Sequence, residues 1–414
     1  MKKLQHIIMI ALILLGLVTP ALAQEQTDNF NVSAKHAIAI EATTGKVLYE
    51  KDATTPDGVA SMTKILTAYM VYKAVDQGKI TWDTEVDISD YPFNLTVDSE
   101  VSNVPLDSRK YTVKQLLDAT LISSANSAAI ALAEKISGSE SAFVDTMTAQ
   151  LKEWGITDAK LFNASGLNNK YLGDNRYPGS KADDENTMSA LDVAIIADHL
   201  IKDYPQVLEI TKQTETDFEG NNKLTTHNYM LEGQDNYREG VDGLKTGTTE
   251  LAGASFVAHS NENGMSLITV VMNADNGGEE AARFTATNEL LDYVTQNWKI
   301  KTLNTKGQIV KKNDIKVADG DSQTISAKLE SDLTVVQKIN SKNDAVKIKA
   351  KTITAPIKKD DTIGTATFDD KDLVGTGYIS DPPQISVTAN QSIKKSFFLK
   401  VWWNHIVNFF TGNK

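Results

Sequence analysis

No cysteine occurs among the 414 residues. Disulfides, a catalytic thiol and thiolate metal sites are therefore excluded, and the fold must stand on its own core. Histidine is scarce as well. His6, His36, His199, His227, His259 and His405 are scattered, and no two sit at a metal-ligand spacing such as H-x-x-x-H. A zinc hydrolase has little support, and neither a metal nor another cofactor is expected. A Gly-x-Ser-x-Gly elbow is missing too, which removes the usual setting of a Ser-His-Asp hydrolase. Arginine is limited to Arg109, Arg176, Arg238 and Arg283. The formal net charge is −12, and so acidic a chain is a poor candidate for nucleic-acid binding.

What is present begins with an ordinary globular composition, 41% hydrophobic and 23% charged. The length suits two or three domains of roughly 150 residues each. Residues 1–23 read as an export leader. Lys2 and Lys3 precede the apolar run from Ile7 to Leu17, which is short for a bilayer span, and Ala21-Leu22-Ala23 supplies an A-x-A cleavage site. Cleavage after Ala23 takes the net charge to −14, because the leader carries two lysines and no acid.

At the other end, residues 391–414 are expected to form an amphipathic helix. Phe398, Trp402, Trp403, Ile406 and Phe409 fall on one side, with Lys394, Lys400, Asn404 and Asn408 on the other. The segment is too short and too polar to span, but adjacent tryptophans and a basic lead-in suit a helix lying in the membrane interface. The plainer alternative is a helix packed on its own protein.

Between the ends, the pattern divides near residue 300. Residues 30–299 mix strands and helices. A hairpin is expected over 36–50, turning at Thr43-Thr44-Gly45-Lys46, and another where "ASFVAHS" and "MSLITVVMNA" flank Asn261 to Gly264. Helical periodicity covers 62–75, 112–122, 126–136, 189–201 and 280–297. Residues 163–186 are rich in Gly, Asn and Asp and read as loops. Over 300–388 short alternating segments predict a small all-β domain ending at Pro382-Pro383. It holds no chemically suggestive cluster and reads as a spacer or interaction module.

The chemistry centres on Ser61-Met62-Thr63-Lys64. Residues three apart share a helix face. The pair is either a nucleophile with its proton acceptor or a helix start with a surface charge. A Ser-x-x-Lys match arises by chance roughly once or twice in such a chain, and Ser392 to Lys395 is a second one that looks only like a helix start. A serine nucleophile without histidine needs another base. Lysine serves if burial and a neighbouring cation keep it neutral, so a second cation and a further hydroxyl must converge on it. Ser124-Ala125-Asn126 lies between two predicted helices: Ser124 could relay a proton, and Asn126 could bind a substrate amide or hold Lys64, or either simply caps the next helix. Lys245-Thr246-Gly247-Thr248 heads a predicted strand. There Lys245 supplies the cation, Gly247 permits close backbone approach, and Thr246 and Thr248 offer hydroxyls to a carboxylate. Taken alone, a surface turn is the better account of this motif. The decoy Ser341-Lys342-Asn343 precedes Ser392, the reverse order, and no Lys-Thr-Gly follows either.

Three such motifs in order form the set found in penicillin-binding proteins and class A β-lactamases. With "AIAIEATTGKVLYEKDA", "LISSANSAAIALAE", "FNASGLNN" and "DGLKTGTTELAGASFVA", the chain resembles the low-molecular-mass penicillin-binding proteins, serine-type D-Ala-D-Ala carboxypeptidases. The resemblance covers about residues 30–300 strongly. It implies a penicillin-recognising α/β (α+β) domain with an antiparallel sheet flanked by helices, a second β domain and a membrane-surface anchor. By the same resemblance Ser61 is acylated by the penultimate D-Ala of a peptidoglycan stem peptide, and Lys64 takes its proton. Ser124, Asn126 and Lys245 complete the relay and hold the substrate, and the N–H groups of Ser61 and Thr248 form the oxyanion hole. Thr246 and Thr248 bind the terminal carboxylate, and Arg283 stands where an assisting arginine is expected. β-Lactams are the implied inhibitors. A class A β-lactamase is the nearest alternative, opposed by the lack of a Glu-x-x-Leu-Asn motif between Ser124 and Lys245, by Ala125 and by the long C-terminal extension. A D,D-endopeptidase or transpeptidase shares the motifs and stays open. A non-catalytic wall-binding protein is opposed by the intact Ser61, Lys64, Ser124 and Lys245.

Overall fold

The computed structural model describes residues 29–397, apart from 98–99, 221, 275–278, 311–313 and 351. The expected leader and residues 398–414 of the expected terminal helix lie outside the described residues. The elements below belong to one compact unit that begins at Val32.

Five antiparallel strands form the central sheet: β1 (Ala34–Glu41), β2 (Lys46–Lys51), β3 (Val241–Thr249), β4 (Gly253–Glu262) and β5 (Met265–Ala274). Their order is β2-β1-β5-β4-β3, so β3 is an edge strand. Both expected hairpins are present, β1–β2 and β4–β5. The first and last parts of the domain meet at the β1–β5 pairing, where Ile38 opposes Val270. Most of β1 is buried on both faces, because helices cover the two sides of the sheet. One face, with Ile38, Ile40, Val257 and Val270, packs into the main core. On the other, Phe256 meets Phe284 edge-on, with ring centroids 5.4 Å apart.

The helices that concern the site are α1 (Lys64–Asp76), α2 (Asp90–Leu95), α3 (Val113–Leu121), α4 (Asn126–Ser137), α5 (Glu140–Glu153), α6 (Ala190–Asp203) and α7 (Ala282–Asn297). Helix α3 starts where it does because Thr112 and Gln115 form a reciprocal capping box, and Ser189 with Asp192 does the same for α6. Helix α1 is buried along most of its length and runs through the core. Helices α2 and α5 come in addition to those expected from periodicity.

From Trp298 the chain is β-rich, with small sheets around a second core that includes Val317, Leu333, Phe368 and Val387. Its end differs from the sequence-based expectation. Strand Gln384–Ala389 follows the proline pair, and Ser392 to Lys395 is not a helix start. Ile393 bridges Ile357, and Lys395 bridges Gly320. Ile393 is 2% exposed and completes the β core, so packing overrides the local helical pattern. This domain is also tied to the sheet. The buried Lys46 amine contacts Asp370 Oδ2 (2.6 Å) and donates to the Val336 carbonyl (2.9 Å), and Val47 N–H donates to Gly377 O (2.9 Å).

Candidate active site

Ser61 sits in a single 3-10 turn, Ala60–Thr63, that runs directly into α1. Two segments clamp this turn. Strand β3 approaches so closely that a Cβ on Gly247 would lie 2.7 Å from the Val59 carbonyl oxygen. From another side comes the loop 163–167, where a Cβ on Gly166 would lie 1.8 Å from Ala60 O. Only glycine allows either approach.

Lys64 follows one turn later and is wholly buried. Its Nζ lies 2.8 Å from Ser61 Oγ, 2.8 Å from Asn126 Oδ1 and 2.7 Å from the Ser165 carbonyl oxygen. The Asn126 amide is oriented independently, because its Nδ2 donates to Ser102 O (2.9 Å). A neutral amine has two N–H bonds and one lone pair. Ser165 O and Asn126 Oδ1 can only accept, so they take the two hydrogens. In that neutral form the lone pair faces Ser61, the one partner with a hydrogen to give. Burial, then the nearby Lys245 cation, holds the Lys64 amine well below its ordinary value. Lys245, 2% exposed on β3, is itself lowered to about 7 by burial and then by Arg283. It donates to Thr246 O at 3.1 Å.

Ser124 lies in the connection between α3 and α4, with a left-handed φ of 57°. The cap residue of α4 is Ala125, with no side-chain capping bond, so neither Ser124 nor Asn126 is there to cap the helix. Arg283, in the first turn of α7, is 2% exposed. It donates to Thr248 Oγ1 (2.6 Å), Gly247 O (2.9 Å) and Ser255 O (3.1 Å). Ser61, Ser124, Thr246, Thr248 and Arg283 line one cleft of about 160 Å³, together with Ser102, His227, Tyr229 and Phe284. Lys64, Asn126 and Lys245 stand behind its wall. All nine residues singled out in the sequence thus converge here or directly beneath.

Residues 22–276 match the D-alanyl-D-alanine carboxypeptidase family, and residues 298–395 match the C-terminal domain of penicillin-binding protein 5. The D-alanyl-D-alanine carboxypeptidase DacF of Bacillus subtilis is 30% identical over 409 residues, 96% of each chain. The chain belongs to the D-alanyl-D-alanine carboxypeptidase family. Among solved structures, a peptidoglycan synthesis regulatory factor (PBP3) from Streptococcus pneumoniae is 51% identical, with a TM-score of 0.80 over 88% of this chain and all of that one. Penicillin-binding protein D2 of Listeria monocytogenes, in an ampicillin-bound form, is 28% identical, with a TM-score of 0.54 over 64% of this chain and 98% of that one.

Within this carboxypeptidase, sequence reasoning missed the supports of the site. Asn163 and Asn186 are fully buried in the stretch read as loops. Asn163 Oδ1 accepts from the N–H groups of Ser165 (3.2 Å), Gly166 (2.7 Å) and Leu167 (3.2 Å). Asn186 Nδ2 donates to Thr63 Oγ1 (3.1 Å) and Asn163 O (2.9 Å), stitching that loop to the nucleophile turn. His227, at the cleft wall, is lowered to about 4 by burial and then by Lys245, so it is neutral at physiological pH. Asn163 lies in the segment "FNASGLNN" that carries the resemblance, but no residue pattern marked it, Asn186 or His227 as a support.

Proposed function

We propose that Ser61 is the nucleophile of a serine-type D-alanyl-D-alanine carboxypeptidase acting on peptidoglycan stem peptides. The observation that carries this reading is the Lys64 amine, wholly buried with its two acceptors beside it and Ser61 Oγ at 2.8 Å. Lys64 takes the Ser61 proton as Oγ attacks the carbonyl of the penultimate D-Ala. Negative charge develops on that carbonyl oxygen, for which the N–H groups of Ser61 and Thr248 are the assigned donors. Collapse breaks the amide bond, and a proton delivered by way of Ser124, with Lys64 and Lys245 behind it, leaves with the D-Ala amine. Water then attacks the acyl ester with Lys64 again as base, restoring Ser61. Thr246, Thr248 and Arg283 hold the terminal carboxylate, and Asn126 orients Lys64. Penicillin acylates the same oxygen, its carboxylate held in the same place.

We further propose that the protein is exported after loss of residues 1–23 and works at the outer face of the cytoplasmic membrane. The amphipathic sequence after Phe397 is the proposed surface anchor. The decisive experiment incubates protein with a pentapeptide ending in D-Ala-D-Ala and with labelled penicillin. Release of D-Ala and a penicillin adduct mapped to Ser61 support the reading; Ser61→Ala protein that retains both behaviours sinks it.

A further inference from the structure

One buried carboxylate close to the site takes no part in the steps above. Glu140, the first residue of α5, is 6% exposed and pairs with no cation among the described residues. Its Oε1 accepts the Ala164 N–H (2.8 Å), and its Oε2 accepts the Tyr91 hydroxyl (2.8 Å). Ala164 is held from its other side too, because Thr67 Oγ1, one turn beyond Lys64 on α1, donates to Ala164 O (2.5 Å). The next carbonyl along the loop is that of Ser165, the acceptor on Lys64 Nζ. A carboxylate without a counter-ion is expensive to bury, and burial pushes this one up to about 7 despite its hydrogen bonds. Such a group persists where its hydrogen bonds set a geometry that an apolar side chain would not.

We propose that Glu140 is a positioning residue for the acylation step: by holding the Ala164 N–H it fixes the Ser165 carbonyl on Lys64, and so aims the Lys64 lone pair at Ser61. Tyr91 of α2 is the strut that sets the Glu140 carboxylate. The inference rests on Lys64 being the proton acceptor. Removing Glu140 frees the Ser165 carbonyl to swing away. Lys64 then loses both orientation and a dipole that favours its ammonium form. The groups facing this assembly are Tyr91 and Glu134 around Glu140, and Lys245, with His227 beyond it, around Lys64. Loss of the carbonyl dipole lowers the Lys64 value.

The test compares Glu140→Ala, Glu140→Gln and Thr67→Val with unaltered protein and with Ser61→Ala. It measures penicillin acylation rate from pH 5 to 9, and kcat and KM for D-Ala release. Glu140→Ala should slow acylation by roughly 10- to 100-fold, with KM little changed and the acid limb displaced to lower pH. Glu140→Gln keeps an oxygen for the Ala164 N–H and should recover most of the rate. Thr67→Val loosens the same loop from the other side and should shift the limb in the same direction, which keeps the test open if Glu140→Ala does not fold. Folded Glu140 or Thr67 variants with an unmoved limb overturn the proposal, as does a Gln variant no better than Ala. If instead Ser61→Ala still acylates, the underlying reading has failed and not this one.

Discussion

Lys64 Nζ and Ser61 Oγ lie 2.8 Å apart on consecutive turns, and the lysine is lowered first by burial and then by the Lys245 cation. The second effect can be removed without touching either partner. Lys245→Met should raise the Lys64 value and move the acid limb of penicillin acylation to higher pH. The limb belongs to the coupled lysines as a pair. A pH profile of the acylation rate reads this directly; a limb that stays in place, or moves down, refutes the coupling.

The same lysines set a slope in stability. Both folded values lie below the unfolded 10.5, so the unfolded chain binds more protons between the folded values and 10.5. Stability should therefore rise with pH from about 7, the Lys245 value, towards 10, by up to about 1.4 kcal/mol per pH unit for each lysine. Denaturant titrations of unaltered and Lys64→Met/Lys245→Met protein should differ in this slope, with the double variant flatter.

Arg283 contacts Thr248 Oγ1 and two carbonyl oxygens of the sheet and lines the cleft, where the proposed function has it hold the substrate carboxylate. Arg283→Ala should weaken carboxylate binding by about 1.5–3 kcal/mol, roughly 10- to 150-fold in kcat/KM for D-Ala release. Arg283→Lys should recover only part, since an ammonium cannot reproduce the fork. An unchanged kcat/KM in Arg283→Ala would remove this residue from the substrate site.

Two glycines with left-handed φ separate strain from collision. Gly138 has φ +81° and no atom within 4 Å of the position a Cβ would take, so Gly138→Ala should cost only about 1 kcal/mol. Gly166 has φ +77° and the Ala60 oxygen 1.8 Å from that position. Gly166→Ala should cost more than about 3 kcal/mol and abolish acylation. Thermal melts of the two variants check the contrast.

The burial of Ile393 separates two truncations of the proposed anchor. Deleting 398–414 should release the protein from membranes. Deleting 392–414 also removes Ile393, which is 2% exposed, and should cost about 2–5 kcal/mol. Membrane fractionation that is unchanged by the shorter deletion refutes the anchor.

Much of the site was legible because its chemistry depends on side chains with distinctive types and order. Ser61, Lys64, Ser124, Asn126 and Lys245 could be named, as could the glycine that lets β3 approach. Two things were hidden. Ser165 contributes a backbone carbonyl, which every residue has, and Glu140 acts through a loop 24 residues away. Ser392 to Lys395 misled in the opposite sense: a helix-like spacing lost to the burial of Ile393 between strands.

By itself the sequence determined the two hairpins of the sheet, five of the helices, the cysteine-free core and the order of three motifs, all of which depend on local periodicity or on residue type. Tertiary structure alone brings those motifs together and buries Lys64 among them. Asn126 and Ser165 reach Lys64 from 62 and 101 residues away. A lysine is a surface cation or a buried base according to what surrounds it. Here desolvation and a second cation arrive only when the sheet closes over α1, and that closure sets Lys64 Nζ 2.8 Å from Ser61 Oγ.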